Sequence, residues 1–84
     1  MPASIAGKLL TSDAKPVAGA TVTLRDDAGN PVGSLTTLAD GSFGTTGLKP
    51  GTYTLQARTP DGRMVDSTIK LTGGEIATIE LRLP

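Results

Sequence analysis

The side chains of this 84-residue chain with the most obvious chemistry are its carboxylates. Asp26 and Asp27 are adjacent, whereas Asp13, Asp40 and Asp61 lie far apart, each followed by Gly or Ala. A glycosidase needs two carboxyl groups around one bond, and a calcium ion needs six or more oxygen ligands. Because neighbouring strand positions face opposite ways and Asp is a frequent turn former, the sequence predicts turns and no carboxylate-based catalytic or metal site.

The composition excludes further classes of site. The chain has no His and no Cys, so imidazole bases, thiolate nucleophiles and metals held by nitrogen or sulfur are excluded. Phe43 and Tyr53 are the only aromatic residues, and their strand parity predicts core positions, where neither could stack on a sugar or a base. A buried Tyr53 hydroxyl would need a partner, as in the tyrosine corner of β-sandwiches. We therefore predict no enzyme and no cofactor, and we do not expect a small-molecule ligand.

Charge and hydropathy limit the partners. Eight basic and eight acidic residues balance to a net charge of zero, so we expect no nucleic-acid partner and no attraction to an anionic membrane. No window approaches the roughly 18 to 20 apolar residues of a membrane span, and the first residues lack the pattern of a signal peptide. We expect a soluble chain without membrane insertion, whose partners are proteins.

Short alternating segments rich in Thr, Val, Leu and Ile predict an all-β fold, a mostly antiparallel, seven-stranded Greek-key β-sandwich. The predicted strands are 4–11, 20–26, 32–37, 42–46, 52–59, 63–71 and 75–83. We interpret residues 1–84 as a single domain, with residues 1–4 as a flexible or non-native start. The inward parity of the strands predicts a core of Ile5, Leu9, Val22, Leu24, Leu35, Phe43, Leu48, Tyr53, Leu55, Ala57, Ile69, Leu71, Ile79 and Leu81.

The connectors carry turn signals. "PDGR" at 60–63 predicts a tight hairpin, because Asp-Gly tolerates positive φ. "DAKPVAG" at 13–19 and "DAGNPVG" at 27–33 are near-copies. We interpret them as one turn solution used twice; an internal duplication is the alternative.

Three stretches, "IAGKLLTSDAKPVAGATVTL", "TLADGSFGTTGLKPGTYTLQA" and "STIKLTGGEIATIELRL", resemble the carboxypeptidase regulatory-like domain, a transthyretin-like (prealbumin-like) β-sandwich. The positions that carry the resemblance are Gly7, Pro16, Gly19, Ala20, Val22, Leu24, Asp40, Gly41, Phe43, Gly47, Leu48, Pro50, Gly51, Tyr53 and Leu55. The resemblance covers nearly the whole chain. It implies a non-catalytic module of a secreted or cell-envelope protein that acts as a spacer, adhesion unit or docking surface.

Two features of related domains are not matched. Some relatives carry an Asp two positions before the Asp-Gly turn and could bind calcium there, but this chain has Leu38. Other relatives form a cross-link between a Lys of the first strand and an Asn of the last. Lys8 lies in the first predicted strand, whereas the lone Asn30 lies in a turn. We therefore predict neither calcium binding nor the cross-link.

Apolar residues outside the inward parity suggest a partner surface. They are Leu10, Leu38, Met64 and Ile76, which would mark an interface if they clustered. The alternative function is a self-assembling subunit of an extracellular filament, joined through the exposed edges of the predicted first and last strands. A remote alternative is an enzyme.

Overall fold

The computed structural model describes residues 2–84 and is built from β-strands. The strands are β1 (Ala3–Leu10), β2 (Thr21–Asp26), β3 (Pro31–Thr36), β4 (Ser42–Leu48), β5 (Gly51–Arg58), β6 (Met64–Leu71) and β7 (Ile76–Arg82). Each predicted segment begins and ends within one or two residues of an observed strand. The described part of the chain contains no helix long and apolar enough to cross a bilayer.

The strands form two sheets, with the orders β4-β1-β7 and β3-β2-β5-β6. β1 and β7 are parallel, and all other neighbouring strands are antiparallel. The prediction of an all-β, seven-stranded, mostly antiparallel sandwich is confirmed. The prediction that the first strand offers an exposed edge is wrong, because β1 is the central strand of its sheet and is paired on both sides. β7 is an edge strand, as predicted.

The core lies between the two sheets. It consists of Ala3, Ile5, Leu9, Ala20, Val22, Leu24, Phe43, Leu48, Tyr53, Leu55, Ala57, Leu71, Leu81 and Leu83. The predicted core residues Leu35, Ile69 and Ile79 are only partly buried, because they lie on the edge strands β3, β6 and β7. Ala3 is fully buried in β1. Ala3 and Ser4 therefore lie in a strand, Met1 lies outside the described residues, and a non-native start stays a prediction.

Two aromatic residues anchor this core. Phe43 pairs with Gly7 in the β1–β4 ladder, and a Cβ atom at Gly7 would lie 2.5 Å from Cζ of Phe43. Only glycine leaves room there for the ring. Tyr53 is buried, and its hydroxyl donates a 2.6 Å hydrogen bond to the backbone oxygen of Lys49. The expected partner of the Tyr53 hydroxyl is therefore a carbonyl just upstream in the chain.

Four five-residue loops share one backbone conformation: 11–15, 26–30, 38–42 and 59–63. In each, the first N–H donates to the fifth carbonyl, and the fourth N–H donates to the first carbonyl. The fourth residue has positive φ in every case: Ala14 (67°), Gly29 (84°), Gly41 (77°) and Gly62 (92°). Asp13 and Asp27 occupy different positions of their loops, so the two near-copies in the sequence do not superpose as loops. The same loop conformation also occurs at 38–42 and 59–63, outside the near-copies, which supports a repeated turn solution over an internal duplication.

Candidate interaction surfaces

The apolar residues predicted to mark a partner surface lie in separate places. Leu38 is 65%, Met64 44% and Ile76 71% exposed, whereas Leu10 is half-buried because it bridges to Pro16. Ile76 pairs with Ser4 at one end of the β1–β7 ladder, and Leu10 pairs with Arg82 at the other. At about 3.3 Å per residue, these ends are about 20 Å apart. The four residues do not form one patch, and a partner contact by any of them stays a prediction.

The strand order creates two lateral sides with different edges. One side, here the β3–β4 side, carries the outer edges of β3 and β4. Pro31 begins β3, and the β2–β3 register shifts between Leu24 and Arg25. The β1–β4 register also shifts, between Ala3 and Ile5. Prolines and bulges hinder the addition of a further strand, so this side is poorly suited to edge pairing.

The opposite side, the β6–β7 side, is regular. β6 pairs with β5 without interruption from Met64 to Leu71, and β7 pairs with β1 from Ile76 to Arg82. Neither strand contains Pro or Gly. Within residues 2–84 each of these strands has a partner on one side only. The edges best suited to pairing are therefore those of β6 and β7, in place of the predicted first and last strands.

The side chains of β6 alternate in exposure. Met64, Asp66, Thr68 and Lys70 are exposed, while the residues between them are half-buried or, at Leu71, buried. The ion pairs of the described chain are Lys15–Asp13, Arg63–Asp61 and Arg82–Glu80. Asp66 and Lys70 belong to none of these pairs. β6 thus presents one unpaired negative and one unpaired positive charge, four residues apart.

The outer face of the three-stranded sheet holds a shallow depression of about 400 Å³. Lys8 lies at its wall and pairs in register with Ser42 on β4 and Glu80 on β7. Asn30 closes the 26–30 loop at the opposite end of the sandwich from Lys8. The structure therefore does not bring together the Lys and Asn considered for a cross-link.

The aspartates of the loops close turns, as predicted. Asp26 accepts backbone hydrogen bonds from Ala28 and Asn30, at 3.0 and 2.8 Å. Hydrogen bonds from the Ser42 hydroxyl and N–H lower the pKa of Asp40. Hydrogen bonds from the Thr59 hydroxyl and, to a smaller extent, from the Arg63 side chain lower the pKa of Asp61. Across residues 2–84 no three acidic side chains come close enough to hold a metal ion.

Comparison with known sequences gives a family and distant relatives. The model of the carboxypeptidase regulatory-like domain matches residues 4–84. Over 50 residues the chain is 44% identical to serine-aspartate repeat-containing protein D of Staphylococcus aureus strain Newman, covering 60% of this chain and 4% of that protein. The chain therefore spans only a small part of the curated relatives it matches.

Comparison with solved structures supports the fold. A variant of BcpA, the major pilin subunit of Bacillus cereus, superposes with a TM-score of 0.86 at 20% identity, over 99% of this chain and 29% of the pilin. Catechol 1,2-dioxygenase from Pseudomonas arvilla superposes with a TM-score of 0.75 at 14% identity, over 98% of this chain and 52% of the enzyme. At these identities the likeness concerns the fold alone, which hosts both structural proteins and enzymes.

Proposed function

The chain belongs to the carboxypeptidase regulatory-like domain family, and on this premise we propose that it is a non-catalytic module of a secreted or cell-envelope protein. In this role it acts as a spacer, adhesion or docking domain through contacts with other proteins. The family match over residues 4–84 and the pilin-like fold support the proposal.

The observation that carries the spacer role is the direction of β1 and β7. Because these neighbouring strands are parallel, β1 begins at one end of the sandwich and β7 finishes at the other. The molecule measures 35 × 22 × 17 Å. Copies joined in series would therefore extend end to end, with each copy adding most of its long dimension.

Small-angle scattering of one, two and three copies joined by short linkers tests the spacer role. We expect the maximum dimension to grow by about one long axis, 35 Å, per copy. The matched control inserts a long Gly/Ser linker between copies, which makes the connection flexible and broadens the distance distribution. Three copies that fold back to less than two domain lengths would contradict the spacer role.

Catalysis is the competing class, supported by the dioxygenase fold. Oxygen consumption with catechol, and hydrolysis of a panel of esters and glycosides, test this alternative. We expect no turnover above buffer. Turnover that disappears on substitution of one carboxylate, such as Asp40→Asn, would establish an enzyme and overturn the proposal.

A self-assembling filament subunit is the second candidate, favoured by the regular edges of β6 and β7 and by the pilin-like fold. Light scattering coupled to size exclusion across a concentration series, followed by negative-stain imaging, distinguishes this candidate. An open-ended mass distribution with visible fibres would put the filament first. A discrete mass and a featureless grid would exclude it.

A further inference from the structure

The hydrogen-bond pattern of the β5–β6 hairpin identifies which backbone groups of β6 face outward. The N–H of Thr59 donates to the carbonyl of Arg63 at 2.8 Å, which makes these residues a hydrogen-bonded pair. In an antiparallel ladder hydrogen-bonded and non-hydrogen-bonded pairs alternate. The odd-numbered residues of β6 therefore bond to β5. The N–H and C=O groups of Met64, Asp66, Thr68 and Lys70 point away from it, along the free edge.

We propose that a second copy of this chain adds to the β6 edge, antiparallel, about a two-fold axis that passes through Thr68. The inference deepens the proposed docking role, on which it rests, by naming the partner. In this register Asp66 of each copy lies opposite Lys70 of the other, so both charges of the strand find opposite charges. Directly opposite Cβ atoms in such a ladder are about 4.5 to 5.5 Å apart, within reach of ion pairing.

The backbone completes the same arrangement. Thr68 pairs with its symmetry mate, and the Asp66–Lys70 pair occurs twice, which gives about six backbone hydrogen bonds between the copies. Val65 would lie opposite Leu71, and Ser67 opposite Ile69. Val65 is only partly buried in one copy and would gain an apolar neighbour, Leu71, across the axis.

The charges select this register. An axis through Ser67 would also pair outward groups with outward groups, but it would set Asp66 against Thr68 and Lys70 against Met64. No charge pair would form in that register, and opposite charges across a ladder stabilise it.

The other edges fit a second copy less well. On β7 the Nε of Arg82 donates to Glu80 at 2.8 Å, so these two charges are already paired within the strand. On the β3–β4 side, Pro31 and the shifted registers interrupt the edges. Pairing at β6 is isologous, because the same patch serves both copies, and it closes after two. The inference thus predicts a discrete dimer, in contrast to the open-ended filament.

Charge exchange tests the proposal without disturbing the fold, because both side chains are exposed. We expect wild-type protein in analytical ultracentrifugation to shift from one chain to two with rising concentration, and to dissociate at high salt. Asp66→Lys and Lys70→Asp should each weaken self-association at least about tenfold, because each sets like charges opposite one another twice. An equimolar mixture of the two variants should form a heterodimer, since opposite charges then face each other again.

A pair of proline substitutions provides the matched control. Thr68→Pro removes an N–H that faces outward, so it should abolish dimerisation while the domain still melts cooperatively. Ser67→Pro removes an N–H directed at β5, so it should lower the melting temperature of the monomer itself. A wild-type mass of one chain at every concentration would overturn the inference, as would an open-ended mass or a variant mixture that associates no better than either variant alone. A monomeric result would leave the tandem scattering experiment, and with it the spacer role, unaffected.

Discussion

The two lateral sides of the sandwich differ in the regularity of their strand edges. The β3–β4 side has irregular edges, yet β4 contributes the buried Phe43, which is 6% exposed. The β6–β7 side has uninterrupted edges, while Ile69 on β6 and Ile79 on β7 are only partly buried. Phe43 and Ile79 meet over Gly7, one from each side. The comparison teaches that the irregular edges of one side hinder the addition of further strands, whereas the other side leaves uninterrupted edges available to a partner strand.

The largest expected effect comes from the residues that meet over Gly7. Phe43→Ala should lower the free energy of unfolding by about 3 to 5 kcal/mol, because it leaves a cavity in the core. Ile79→Ala on β7 should cost less than about 2 kcal/mol, because the side chain is already partly solvated. Urea titrations of both variants measure the difference. Equal losses for the two variants would remove the asymmetry between the sides.

The shared loop conformation gives a second, smaller contrast. Gly41 follows β3 and Gly62 lies in the β5–β6 hairpin, and both have positive φ. A Cβ at Gly41 would lie 2.6 Å from the carbonyl oxygen of Leu9, whereas nothing lies within 4 Å at Gly62. Gly62→Ala should cost about 1 to 2 kcal/mol from backbone strain alone. Gly41→Ala should cost about 1 to 3 kcal/mol more, because of the clash.

Thermal unfolding of the two variants, with wild type as reference, measures this contrast. A Gly62→Ala variant that loses as much stability as Gly41→Ala would show that strain alone decides, and that the β3–β4 side is no more tightly packed at its loop.

The smallest effect is the pH dependence of the two loops. Hydrogen bonds from Ser42 and from Thr59 hold the folded-state pKa of Asp40 and of Asp61 below the ordinary aspartate value of 3.8. A lowered folded pKa means that each carboxylate contributes stability above pH 3.8, and that this contribution is lost as the pH falls through the folded pKa. The urea concentration at the unfolding midpoint should therefore decrease as the pH is lowered from about 5 to about 2. Asp40→Asn and Asp61→Asn should each flatten that slope.

Added salt should distinguish the stability contributions of Asp40 and Asp61. Arg63 is bound to Asp61, whereas the hydrogen-bond partner of Asp40 is the neutral Ser42. The Asp61 contribution should therefore weaken with added salt, and that of Asp40 should change less. A midpoint that rises on acidification would contradict the sign for both groups.

Strand positions and most of the core could be predicted because alternation reports directly which face of a strand is apolar. Leu9, Leu24 and Leu55 were correctly predicted to be buried by this rule. Parity does not report which strands are neighbours. Leu35 and Ile79 were assigned to the core since their parity is inward, but edge strands leave them partly exposed. Leu83 was left out of the predicted core although it lay in the predicted last strand with the parity of Ile79 and Leu81; it is buried at the end of β1, where its N–H donates to the carbonyl of Leu10.

The candidate interaction site depends even more on strand order. Exposed Leu38 and Ile76 were recognised from parity, whereas Val32, 43% exposed, was missed because β3 is exposed on both faces. Asp66 and Lys70 are unremarkable in the sequence, since charged residues on an outward face are common. A pairing role for these two residues can be inferred only once β6 is known to be an edge strand and its outward-facing backbone groups are identified.

The parallel pairing of β1 and β7 has a mechanical consequence. The ladder runs from Ser4 opposite Ile76 to Leu10 opposite Arg82, and further backbone hydrogen bonds from Ser4 to Glu75 and from Leu83 to Leu10 extend it. A pull on the two ends of the domain would slide these strands past each other, so the load would be shared by all the rungs at once. A hairpin such as β5–β6, pulled open from its end, would instead break one rung at a time. The parallel ladder therefore predicts that the domain resists a pull applied between the start of β1 and the end of β7.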